Sequence, residues 1–380
     1  VAETPYTRRL RVALVDPSGY TRPYDHELAR ALARRGHDVS LWTASFVHGD
    51  PPPADGYRVR ELFYRRTNRM GGPQAVRRAA KAGEHLAGLW ELRGRLLADG
   101  ADVVHVQWAV LRPVERTFYG RLQREGTPVV FTAHDPIPNV GGDRRRRSVA
   151  ATARVFARVI VHSEWGRAAL VDRCGVAENR VRVIPHGVFG YLAELPPIPS
   201  PADPSGPMVL LPGLIRPYKG TDVLLAAWPR VRAAVPTAEL VIAGRPMMDI
   251  GALRLDQPGV TAIPRFVSDA ELAALLRRAD VVTLPYRSID NSGVVFSALA
   301  LGAGLVLSSV GGFRELHERD GVGALVPPGD PSALAATLIE VLTSATRRDA
   351  LRAASRSAAE GRLSWGEIAE ATESVYREVV

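Results

Sequence analysis

The sequence predicts an α/β protein built from two doubly wound domains. Three observations carry this. The chain has 380 residues, more than one typical core of roughly 100–200 residues holds. Each half alternates short β-branched runs with helical patterns, the signature of parallel strands covered by helices. Between the halves lies LPPIPSPADPSGP, a stretch whose prolines cannot continue a helix or a strand interior.

In the first half the expected strands are residues 11–15, 39–43, 58–63, 103–107, 129–133, 159–161 and 181–184. Helical spacing falls between them, as at residues 24–35, where Leu28, Ala31 and Leu32 share one face. Residues 74–99 read as one long helix or as two broken near Gly83. The alternation restarts with strands at 209–211, 239–243, 260–263, 281–284, 305–307 and 324–326. Ser268 is an N-cap candidate for a helix at 269–278, and another helix is expected at 293–301. A final helix starts near Trp365 with no strand after it. The expected division is residues 1–190 as one domain, 191–207 as linker, 208–362 as a second domain and 363–380 as a helix returning to the first. Ligands of open α/β sheets sit beyond the carboxyl ends of the strands, so the site is expected in a cleft faced by both sets of ends.

Composition narrows the function. No apolar run approaches the roughly 18–20 residues that span a bilayer, and the opening VAETPYTRRLRVALVD lacks the apolar centre of a secretory signal. The single cysteine, Cys174, excludes an intramolecular disulfide framework and a multi-cysteine metal site. Cytoplasm is the expected compartment. Residues 1–190 hold 31 Lys/Arg against 19 Asp/Glu, the remainder 18 against 21. The first half therefore suits an anionic partner, although an Arg- and Ala-rich chain is also basic through composition alone. A nucleic-acid reading has no helix-turn-helix, zinc finger or aromatic-basic signature behind it.

Candidate site residues follow from their places after strands. Asp16, Pro17, Ser18, Gly19 and Tyr20 leave the first strand, with Gly19 allowing close backbone approach. The loop is not a GxGxxG, so a dinucleotide fingerprint is absent. His134 and Asp135 leave the buried run VVFTA. A histidine there is a functional candidate, with a structural hydrogen-bonding role as the alternative. In the second half Gly213 opens a turn with Arg216 and Lys219, Gly244 follows LVIA, and residues 286–293 follow VVTLP. Asn291 and Ser292 could cap the helix that starts at Gly293. Free amides at a helix start attract anions. Two cations and a helix start suit a diphosphate leaving group, on which charge grows as its bond breaks. Both cations are expected to be exposed.

Eight stretches in one order then resemble family 4 retaining glycosyltransferases of the GT-B fold: HELARALARRGHDVSLWT, VVFTAHD, VIVHSEWGRAAL, VRVIPHGV, GLIRPYKGTDVLLAAW, ELVIAGRP, ADVVTLPYRSIDNSGVVFSALALG and LSWGEIAEATESVYREV. The resemblance implies two Rossmann-like domains facing a cleft, with the acceptor bound by the first, the nucleotide-sugar donor by the second, and the last helix crossing back. It implies that Arg216 and Lys219 contact the donor diphosphate and that His134 lies near the transferred sugar. Gly19, with Ser18, Tyr20 and Asp135 around it, would face the acceptor. Gly213, Gly244, Asp290, Asn291, Ser292, Gly293 and Val294 would line the donor. Transfer would need no metal and no cofactor, the acceptor hydroxyl attacking on the face that the diphosphate leaves, whose oxygen takes the proton.

The chain departs from the family pattern at one place. Its Glu-x7-Glu signature is replaced by Ile289 and Ser297. Asp290 is adjacent to the first position and, as a catalytic candidate, could replace it through a small loop shift, whereas Ser297 reaches a ribose hydroxyl only through a neutral, weaker hydrogen bond. A catalytically silent sugar-nucleotide-binding or scaffold subunit is therefore the competing reading. Acceptors that fit are a glycan, a lipid-linked sugar or a small glycoside. The basic residues at 58–81 and 144–147, the latter with Val149, Val155 and Phe156 expected as an apolar side, suit docking on the anionic inner face of the cell membrane.

Overall fold

The computed structural model describes residues 8–46, 49, 51–136, 142–289 and 292–380, residues 142–145 by backbone alone. Two compact units result: Val1–Pro185 with Trp365–Val380, and His186–Ser364.

The first unit runs β1 (Arg11–Asp16), α1 (Arg22–Arg34), β2 (Asp38–Ala44), β3 (Arg58–Phe63), α2 (Gln74–Asp99), β4 (Val103–Val106), α3 (Arg112–Arg124), β5 (Val129–Thr132), α4 (Gly142–Ala153), β6 (Arg158–Val161), α5 (Glu164–Ala168) and β7 (Val181–Val183). The strands order as β3-β2-β1-β4-β5-β6-β7, all parallel, with Val12 in register with Val39 on one side and Val103 on the other. Strand order reverses between β1 and β4, the place where a doubly wound sheet opens a crevice. β1 is apolar from Val12 to Val15 and buried from Val12 to Asp16, as a strand covered on both faces must be.

The second unit runs α6 (Tyr191–Glu194), β8 (Met208–Pro212), α7 (Thr221–Ala234), β9 (Glu239–Ala243), β10 (Val260–Ile263), α8 (Asp269–Arg278), β11 (Val281–Leu284), α9 (Gly293–Ala300), β12 (Leu305–Ser308), α10 (Gly311–Asp320), β13 (Ala324–Val326), α11 (Pro331–Thr343) and α12 (Ala345–Glu360). Its sheet orders as β10-β9-β8-β11-β12-β13, with the reversal between β8 and β11. Ser268 caps α8 in a full capping box with Glu271.

Residues 191–207 belong to this second unit and are not a free linker. Tyr191 donates to Asp269 (2.8 Å), Arg277 donates to the Leu192 carbonyl (3.1 Å), and Arg278 pairs with Asp203 (2.6 Å). Proline excludes regular structure here, but the carbonyls it leaves unpaired accept from two arginines of α8.

The last helix, α13 (Trp365–Arg377), folds with the first unit. Its Tyr376 is fully buried with its hydroxyl 2.6 Å from His105 Nδ1. Arg35 of α1 donates to Glu373 at 2.7 Å.

The helix α2 is continuous through Gly83 and carries two apolar faces. His85, Leu89, Leu92 and Leu96 are buried. On a neighbouring flank Val76, Leu86, Trp90 and Leu97 are exposed, Trp90 to 82%. Helical spacing puts these four, with Ala79 and Gly83, on one stripe. By contrast Val149 and Phe156, expected as a surface apolar side, are buried in the first unit's core, because α4 turns its apolar residues against the sheet.

Candidate functional site

Each unit gathers polar groups at its own strand exits. In the first, Asp16 ends β1 fully buried and organises the loop after it. One carboxylate oxygen accepts from the Ser18 amide and hydroxyl (3.0 and 2.6 Å), the other from the Thr21 amide (3.3 Å). Gly19 sits at φ +63°, and a Cβ there would come within 3.3 Å of the Ala44 carbonyl, so glycine suits both the backbone and the space. Burial, and then the Asp16 carboxylate beside it, push Asp25 well above the usual carboxyl range. Tyr20 stands out at 59% exposure, edge-on to Trp108 at 5.4 Å. Trp108 donates to Thr21 Oγ1 (2.9 Å) and stacks on His134 at 5.5 Å.

The His134 ring is held on every side. Its Nε2 lies 2.9 Å from Gln107 Oε1, its Nδ1 lies 3.1 Å from His162 Nε2, and Tyr24 meets it edge-on at 4.7 Å. Asp135 beside it is exposed. Gln107 and Trp108, at the exit of β4, and His162, at the exit of β6, are absent from the site residues expected from the sequence. The signal was present: β4 flanks the reversal of strand order, so its exit belongs to the same crevice.

In the second unit the exits of β8 and β9 touch. The Gly213 amide donates to the Ala243 carbonyl (2.8 Å) and the Ile215 amide to the Arg245 carbonyl (3.1 Å). Gly244 (φ +152°) lies so close that a Cβ would meet the Gly213 carbonyl oxygen at 2.1 Å. After Gly213 the chain makes a single turn at Pro217–Lys219 and enters α7 through Gly220 at φ +68°. A Cβ on Gly220 would fall 2.0 Å from the Pro285 carbonyl.

This turn places Lys219 differently from expectation: it is buried, 7% exposed, while Arg216 is half-buried. The turn folds the Lys219 side chain back over the strand exits, its Nζ 4.9 Å from the centre of the Tyr286 ring. Gly213 leaves room for it, since a Cβ there would stand 3.0 Å from Lys219 Nζ and 2.9 Å from Val294 Cγ2. Among the described residues Lys219 has no carboxylate partner. A cation in such a place is costly unless an anion joins it. Beside it starts α9, whose first turn no side chain among the described residues caps; the Val295 amide donates to the Ser292 carbonyl at 3.0 Å, and the amides ahead of it have no intrahelical acceptor. Ser292 lies 3.3 Å from the Tyr286 hydroxyl. The arrangement is a cationic, amide-lined hollow suited to a diphosphate.

The comparisons agree with this reading of the two units. Residues 24–188 match the family model Glycosyltransferase Family 4, and residues 206–344 match Glycosyl transferases group 1. The phosphatidyl-myo-inositol mannosyltransferase of Mycolicibacterium smegmatis is 32% identical, over 97% of this chain and 90% of that protein. The chain belongs to glycosyltransferase family 4. The D-inositol 3-phosphate glycosyltransferase of Kineococcus radiotolerans is 29% identical over 96% of this chain and 91% of that one. The fold matches sucrose-phosphate synthase from Thermosynechococcus elongatus, with TM-score 0.72, 21% identity, and 97% and 99% of the two chains covered. It also matches Anabaena HepE in complex with UDP and glucose, with TM-score 0.69, 17% identity, and 97% and 100% covered.

This glycosyltransferase thus moves a sugar from a nucleotide-sugar donor to an acceptor. Its expected donor residues Gly213, Arg216, Lys219, Gly244, Ser292, Gly293 and Val294 lie on the adjoining exits of β8, β9 and β11. Asp290 and Asn291 lie outside the described residues. Ile289 packs against the second unit's apolar core. Ser297 is 5% exposed, flanked by the buried Phe296 and Ala298, and its hydroxyl donates to the Gly293 carbonyl at 3.1 Å. Among the described residues no three His, Cys, Asp or Glu side chains group closely enough to hold a metal ion.

Proposed function

We propose that the glycosyltransferase works with retention of anomeric configuration and without a metal ion. Arg216, Lys219 and the start of α9 neutralise the departing diphosphate. The observation that carries this is the buried Lys219 side chain, which has no carboxylate partner among the described residues. It supplies at a fixed point the charge that a metal ion otherwise brings to a leaving phosphate, and fixed charge needs no reorganisation as the bond breaks. The acceptor hydroxyl attacks on the face that the diphosphate leaves, and a diphosphate oxygen takes its proton. His134 stands beside the transferred sugar, and Ser18, Gly19, Tyr20 and Asp135 face the acceptor. The test is release of nucleoside diphosphate across a panel of nucleotide-sugars, with acceptors and with a chelator present. Proton NMR of the product should show the donor's anomeric configuration, and the chelator should leave the rate unchanged. Inversion, or loss of turnover restored by a divalent ion, overturns the reading.

Ser297 tests the donor side. A carboxylate there can accept two ribose hydroxyls with charge-assisted bonds, where the serine hydroxyl is already given to Gly293. Ser297→Glu should melt lower without ligand, because it buries a carboxylate, yet gain a larger upward shift with nucleoside diphosphate. A nucleotide held tightly by the wild type and lost in the variant would sink this assignment.

The acceptor is anionic or lipid-linked, and the enzyme docks on the anionic inner face of the cell membrane. Two relatives are named for phosphorylated inositol acceptors, which supports this class. The exposed stripe of Val76, Leu86, Trp90 and Leu97 lies on a helix that also exposes Arg77 and Arg78. Apolar residues beside cations suit a bilayer surface, at about 1 kcal/mol per cation. No helix among the described residues is long and apolar enough to cross a membrane. Co-sedimentation with phosphatidylserine vesicles should bring the protein down at low salt, fade as salt rises, and fail for Trp90→Ser combined with Arg77→Ser and Arg78→Ser. A protein that stays in the supernatant at low salt has a soluble acceptor.

A further inference from the structure

We propose that His162 is a positioning residue for sugar transfer, fixing the tautomer and the plane of the His134 imidazole. The hydrogen bonds determine the direction of the chain. His162 Nδ1 lies 3.0 Å from the Ile184 carbonyl oxygen, which only accepts, so that nitrogen carries the proton. Burial pushes His162 down to about 4, so it is neutral at neutral pH and its Nε2 can only accept. The partner of that Nε2, His134 Nδ1 at 3.1 Å, must then donate. His134 therefore holds a proton on Nδ1, and its Nε2 then accepts from the Gln107 side-chain amide turned end for end: Gln107 Oε1 lies 2.9 Å from that Nε2, while the Gln107 NH2 group has no partner among the described residues.

The plane is fixed by the same contacts. Trp108 stacks on one face of the ring, 15° from parallel, and Tyr24 meets it at 87°. An imidazole tied at both nitrogens and wedged between two aromatic rings has one orientation. A buried histidine that only filled space would not need its two nitrogens threaded between a carbonyl and a second histidine. Misplacing a group at a reacting centre by about 1 Å can lower a rate by about 10²-fold, which is the size of effect such a support can have.

This inference rests on His134 lying beside the transferred sugar, and the experiment separates the two. His162→Leu removes the acceptor and keeps an apolar filling. His162→Gln places an amide oxygen where Nε2 was. We expect His162→Leu to lower kcat about tenfold with donor KM changed less than about threefold, and His162→Gln to recover kcat to within about threefold of wild type. Nitrogen-15 NMR should show His134 protonated at Nδ1 in wild type and in His162→Gln, and a mixture of tautomers in His162→Leu. Should the leucine variant not fold, the glutamine variant and the wild-type spectrum still decide. If His134→Ala keeps full turnover, the placement of His134 is wrong. If His134→Ala is inactive while His162→Leu matches wild type in kcat, or if wild-type His134 is protonated at Nε2 alone, the positioning role of His162 is wrong.

Discussion

Replacing Lys219 with methionine is expected to lower turnover by at least about 10²-fold while leaving the unliganded protein as stable as the wild type or more so. The two halves of this result come from one fact. Lys219 is buried over the Tyr286 ring with no carboxylate among the described residues. The cation–π contact recovers only about 0.5–2 kcal/mol of the cost of taking an ammonium out of water. Methionine keeps the length and the packing and removes the charge. The empty protein then loses little, whereas the state with a developing diphosphate charge loses its nearest fixed cation. Arg216→Ala should lower turnover by a comparable factor. Steady-state release of nucleoside diphosphate and a melting curve on the same samples test both halves. Near-normal turnover in Lys219→Met removes the phosphate assignment, and a large loss of stability would mean that Lys219 is structural.

The second large effect is expected at Gly244. An added Cβ would stand 2.1 Å from the Gly213 carbonyl oxygen and 2.5 Å from its carbon, at φ +152°. Both neighbours are backbone, so relief requires separating the exits of β8 and β9. A disfavoured backbone conformation costs about 1–3 kcal/mol, and overpacking typically about 1–3 kcal/mol more. The loop that moves is the one carrying Arg216 and Lys219. Gly244→Ala should therefore lose stability and at least about 10²-fold in turnover. Gly329→Ala is the control, since Gly329 also has a positive φ (+76°) but nothing within 4 Å of an added Cβ. It should keep turnover within about twofold. Full activity in Gly244→Ala would mean that the two loops do not need to touch.

Much of the site was legible because it follows local rules. Every strand of both sheets appears where β-branched runs stand between helical patterns, and the exits of those strands were the places to search. Arg216, Lys219, Gly213 and Gly244 are each visible as residues just after a strand, and the Glu-x7-Glu substitution by Ile289 and Ser297 is visible in the letters themselves. Three readings changed on folding. Residues 191–207 look like a linker because proline removes helix and strand, yet α8 supplies arginines that bond their carbonyls. Val149 and Phe156 look available to a membrane, yet they fill the first unit's core, and Trp90 on α2 is exposed instead. Lys219 looks solvated, yet one tight turn carries it under Gly213.

The sequence by itself determined the fold class, the order of the elements and the loops that carry the chemistry, because periodicity and turn residues act within a few positions of themselves. Only the tertiary structure decided which of those loops touch, which cation is buried, and that Gln107, Trp108 and His162 surround His134. These residues lie about 27 positions from His134 in the chain. They meet it because β4, β5 and β6 pair in parallel, in register, and side chains at equivalent exits of neighbouring parallel strands converge whatever lies between them in sequence.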